Sequence, residues 1–64
     1  MISAIPDLIV QSEHIRGEGR WHYVQPLTIH GEALYRAFGG EAAFVGSRAK
    51  QRAERALAKM LEAE

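Results

Sequence analysis

Cysteine and asparagine are absent from this 64-residue chain, and Asp7 and Thr28 are the sole residues of their types. Without cysteine there is no disulfide framework, no zinc ribbon or finger and no thiol nucleophile. Serine occurs only at Ser3, Ser12 and Ser47, so a nucleophile, a base and an orienting group would have to come from distant parts of a very short chain. Little material remains to enclose the ~300–1,000 Å3 of an ordinary ligand site. The chain is therefore read as non-catalytic, with no cofactor and no metal. Long apolar runs are missing too: nothing approaches the ~20 residues that span a bilayer. The opening MISAIPDLIV has neither a basic flank nor a cleavage-like end, so a cytoplasmic protein without membrane contact is expected.

Net charge is the next absence. Eight basic side chains balance eight acidic ones, and the pI is near 6.8. A general phosphate binder draws its non-specific affinity from excess positive charge, so nucleic acid ranks behind protein as a partner. The zero conceals an asymmetry. Residues 1–46 hold three basic against five acidic residues, whereas residues 47–64 hold five against three.

Length allows one domain, 1–64. Folding such a chain buries about 60% of its unfolded surface, and with about 60% of that area apolar the hydrophobic stabilisation is on the order of 90 kcal/mol. Ordering its residues at ~1.5 kcal/mol each costs about 95 kcal/mol. With no covalent staple, association with a second copy or another protein is the expected extra source of stability, and a homodimer is the simplest form.

What is present reads as α+β: a β-hairpin or small antiparallel sheet packed on a short helix and a long C-terminal helix. The hairpin region covers about 8–29, with arms Leu8–Arg16 and Arg20–Ile29 around Gly17-Glu18-Gly19. A three-residue loop containing a left-handed glycine closes such arms, and Val, Ile, Trp and Tyr favour strand. With Pro6 as a first helical residue and Gly17 as a stop, Ile5, Leu8, Ile9 and Ile15 also partly fit a helical stripe, and strand is preferred. Centring the turn on Glu18 pairs Arg16 with Arg20, Ile15 with Trp21, His14 with His22 and Glu13 with Tyr23. Ile9, Ile15, Trp21, Tyr23 and Leu27 then share one face, and Val10, His14, His22 and Val24 the other. A helix over about 31–38 follows from Ala33, Leu34, Ala37 and Phe38, with Gly39-Gly40 as its left-handed stop. A second helix is expected over about 41–64, with a kink at 46–47 as its weak point, because Ala42, Val45, Ala49, Ala53, Ala56, Leu57, Met60 and Leu61 hold one helical phase.

Four groups of residues are candidates for function. Ala49, Ala53, Ala56 and Met60 form a seam of mostly small side chains suited to close approach of a second copy or of the chain's own sheet. Beside it Arg48, Arg52, Arg55 and Lys59 form a basic ridge suited to an acidic protein surface. Arg16, Arg20, Trp21 and Tyr23 bring to the hairpin tip the residue types enriched in binding hot spots. His14 and His22, if opposed, could share a metal, but no third ligand with helix-type spacing supports a site. A helix-turn-helix through Gly39 would want a small residue where Tyr35 stands and an apolar one where Arg48 stands. The expectation is a small protein-binding regulator or inhibitor of a larger protein machine. Phage or mobile-element proteins that block host defences share this size and character. The alternative is a DNA-binding transcriptional regulator using the basic C-terminal helix.

Overall fold

The computed structural model describes residues 4–63. Strands β1 (Leu8–Ile15) and β2 (Gly19–Pro26) lead to helix α1 (Ile29–Phe38), a short strand β3 (Ala43–Val45) and helix α2 (Ala49–Glu62). The strands form one antiparallel sheet in the order β1-β2-β3. The class is α+β, a small antiparallel sheet packed on a short helix and a long C-terminal helix.

The hairpin forms two residues out of the expected register. Ile15 pairs with Gly19, Val10 with Val24 and Leu8 with Pro26, so the loop is Arg16-Gly17-Glu18. It is closed by the Glu18 amide donating to the Ile15 carbonyl at 3.0 Å, with Gly17 at φ 87°. A shift of two preserves which side chains share a face. It also places Val10 directly across from Val24, which is 2% exposed, and it frees Thr28 from the ladder. His14 now opposes Arg20, and His22 opposes Ser12, so the expected His14–His22 pair does not form.

Thr28 is needed elsewhere. It is the N-cap of α1, its hydroxyl accepting from the Gly31 amide at 2.9 Å and donating to the Asp7 carboxylate at 2.6 Å. The Leu27 amide donates to the Asp7 carbonyl at 2.8 Å. These bonds tie the first turn of α1 to the approach of β1, so closely that a Cβ on Gly31 would lie 2.0 Å from the Asp7 carbonyl oxygen. Only glycine fits there. Gly39, in the left-handed region at φ 66°, ends α1 as its spacing predicts.

The expected long helix from 41 is corrected. Residues 43–45 are strand β3, pairing Trp21 with Val45, His22 with Phe44 and Tyr23 with Ala43, and α2 begins only at Ala49. Burial alternates with period two: Ala42 and Phe44 are buried, Ala43 and Val45 exposed. Phe and Val favour strand, and the glycines at 39–40 and 46 bound the segment as turns. The helical phase of Ala42 and Val45 with Ala49 is a coincidence of spacing. Because a strand separates α1 from α2, the pair is not a helix-turn-helix.

The core lies between the sheet and both helices. Leu8, Val24 and Phe44 come from one sheet face, Leu34 from α1, and Ala49, Ala53, Ala56 and Met60 from α2. Both helices therefore cover the face carrying the even-numbered strand residues. The molecule is a flat two-layer body with extents of 39 × 29 × 16 Å.

Candidate functional site

Two surfaces remain after the core is assigned. The first is the sheet face turned away from the helices. Antiparallel pairing puts Ile9, Gln11, Glu13 and Ile15 of β1, Trp21, Tyr23 and Gln25 of β2, and Ala43 and Val45 of β3 on that side. No described element covers it. Ile9, Ile15, Trp21 and Tyr23 are half-buried, and Val45 is exposed. The face is apolar and aromatic, with Glu13 as its one charged side chain. Trp21 lies between Glu13 and Val45 across the strands. Its indole nitrogen is buried without a hydrogen-bond partner among the described residues, so packing rather than a polar anchor fixes the ring.

The expected tip patch is divided by this geometry. Trp21 and Tyr23 belong to the open face. Arg20 points to the opposite face, its Nη1 donating to the Ser12 hydroxyl at 3.4 Å, and Arg16 sits in the exposed loop. The four do not form one surface. Alternation along a strand separates neighbours such as Arg20 and Trp21.

The second surface lies beside α2. Arg52, Arg55 and Lys59 line a cleft of about 170 Å3 with Phe38, Glu41, Phe44 and Ala56. The Arg52 guanidinium stacks 4.8 Å from the centroid of the Phe44 ring. Arg48 is separate: it precedes α2 in the left-handed conformation at φ 61° and offers no side-chain cap. Arg48, Arg55 and Lys59 make no ion pair among the described residues. The ridge shows in the sequence but its aromatic floor does not, because Phe44 falls within the helix expected over about 41–64. The alternation of Ala42 and Phe44 between glycines was the available signal.

The small-residue seam is corrected as a surface. Ala49, Ala53, Ala56 and Met60 are 2%, 0%, 5% and 1% exposed, packed on the chain's own sheet, so they are not open to a second copy. Among the described residues no group of three or more His, Asp or Glu side chains could hold a metal ion. No described helix is long and apolar enough to cross a membrane. No protein-family model matches the chain, and no curated protein or solved structure shows significant similarity to it.

Proposed function

We propose that this chain is a non-catalytic protein-binding module, a small regulator or inhibitor that docks on a larger protein through its open sheet face. The observation that carries this reading is the uncovered cluster of Trp21, Tyr23, Ile9, Ile15 and Val45 on the side of the sheet opposite both helices. Contiguous apolar patches on so small a surface mark interaction sites, and tryptophan and tyrosine are the residues most often found at the energetic centre of interfaces.

A larger partner suits this face better than a second copy. Eight-residue strands at ~3.4 Å per residue and ~4.8 Å apart give a patch of only about 300 Å2 in projection. Two such flat patches meeting face to face fall short of the ~1,200–2,000 Å2 of stable interfaces. A larger protein can also engage the strand edge and the hairpin loop.

Paired variants test the reading. Tyr23→Lys with Val45→Lys places charge on the open face, and Arg48→Gln with Lys50→Gln alters the start of α2 by the same number of residues. Affinity capture from the native host, with circular dichroism to confirm folding, is expected to recover one protein with the wild type and the α2 variant. The sheet variant is expected to lose it. Retention by the sheet variant would overturn the proposal.

A further inference from the structure

The cleft beside α2 stands apart from the open sheet face and carries its own chemistry. Its floor is apolar, made of Phe38, Phe44 and Ala56, and its wall is cationic, made of Arg52, Arg55 and Lys59. Arg55 and Lys59 have no ion-pair partner among the described residues. Arg52 is held against the Phe44 ring, a stacking that occupies the face of the guanidinium and leaves the in-plane N–H fork free to donate. One helix thus presents three cations over about 10 Å of its length, along the border of an aromatic hollow.

We infer that this cleft binds an acidic peptide segment of a protein partner, with an aromatic side chain against Phe38 on its apolar floor and flanking carboxylates on Arg52, Arg55 and Lys59. Size separates this occupant from a free small molecule: about 170 Å3 receives one side chain, while enclosed small-molecule sites hold ~300–1,000 Å3. Charge separates it from nucleic acid. The whole chain is neutral, Glu41 stands in the lining, and a ridge of this length meets only a few phosphates at ~3.4 Å per nucleotide along a strand. A carboxylate-bearing segment fits both the number of cations and the apolar floor. Glu41, the one anion of the lining, disfavours such a ligand, which gives the proposal a signed prediction.

The probe is an acetylated, amidated Glu-Glu-Phe-Glu-Glu peptide, titrated into the full chain and followed by amide chemical shifts and calorimetry. Saturable binding is expected, with shifts centred on residues 38, 44, 52, 55 and 59. Replacing the probe's glutamates with glutamine, or its phenylalanine with alanine, is expected to weaken binding about fivefold or more. Arg55→Gln with Lys59→Gln, both at exposed positions, should produce a loss of similar size. Glu41→Gln should tighten binding about twofold, and ~1 M salt should weaken it as the screening length falls to ~3 Å. Glu54→Gln, outside the cleft, leaves it unchanged. Equal binding of the glutamine probe, no change on removing Arg55 and Lys59, shifts centred on the sheet face, or preference for a 20-base-pair DNA duplex would each overturn the proposal. The sheet-face reading is tested on other residues with another ligand, so either can fail alone.

Discussion

Three residues far apart in type and role hold the junction between hairpin and helix. Asp7 accepts from Thr28, Thr28 caps α1 through Gly31, and Gly31 leaves room for the Asp7 carbonyl. A methyl group at position 31 would lie 2.0 Å from that oxygen, so backbone on one side must move. Gly31→Ala is expected to cost at least about 3 kcal/mol, beyond the ~1–3 kcal/mol of ordinary overpacking. Thr28→Ala, which removes a cap but creates no clash, is expected to cost about 1 kcal/mol. Urea denaturation of the two variants checks both the order and the sizes; equal losses would mean that the close approach is not what fixes position 31. None of this junction was legible beforehand. Thr28 and Gly31 fell at the edge of the expected hairpin and helix, and a tertiary contact with Asp7 leaves no periodic trace in sequence.

At the scale of elements, legibility followed the strength of the local signal. The hairpin arms, α1 with its glycine stop and the terminal helix from Ala49 onward were readable because strand propensity, apolar period and caps agree there. The segment 41–48 was not, because its eight residues place Ala42 and Val45 in helical phase with Ala49 of α2 and also carry a two-residue alternation around Phe44, and short runs do not resolve the two periods. The sheet decides it by offering β2 an edge, with the Val24 amide donating to the Ala42 carbonyl at 3.0 Å. The two readings make opposite predictions. In the strand, Phe44 is buried and Val45 is 37% exposed, so Phe44→Ala should cost about 3–5 kcal/mol and Val45→Ala less than about 1 kcal/mol. Thermal unfolding of both variants checks this. A larger loss at Val45 would restore the helical phase.

Apart from Leu27, which lies beyond the end of β2, the expected faces of the hairpin match the structure even though the register does not, since a two-residue slip preserves parity. What parity could not reveal is which face the helices choose. They cover the side of Val10 and Val24 and leave the side of Trp21 and Tyr23 open, so the largest side chain of the chain is not in its core. The buried positions of α2 explain the choice. Ala49, Ala53 and Ala56 bring the helix backbone close to the sheet, where Leu8, Val24 and Phe44 fit and two adjacent aromatic rings of Trp and Tyr size would hold it away.

Seen whole, the molecule is a thin plate with helices on one side and an apolar sheet on the other. Its radius of gyration, 12.4 Å, exceeds the ~10.7 Å of a compact domain of this length, as a flat body requires. The small-residue stripe expected to join two copies is already used inside the chain, so the case for a homodimer loses its seam. Sedimentation equilibrium at micromolar concentration is accordingly expected to give the monomer mass of 7.1 kDa. A dimer stable across the concentration range would show that the open face meets a second copy instead of a larger protein.

The central claim is that this open face is where a protein partner docks, and a photocross-linker at position 23 tests it most directly. Tyr23 replaced by benzoylphenylalanine keeps an aromatic group on the face, while the same group at Glu54, exposed on α2, reports non-specific encounters. Irradiation in the native host is predicted to give one discrete adduct from position 23, absent from position 54 and lost when Val45→Lys is added. Adducts from position 54 alone, or a position-23 adduct indifferent to Val45→Lys, would contradict the account.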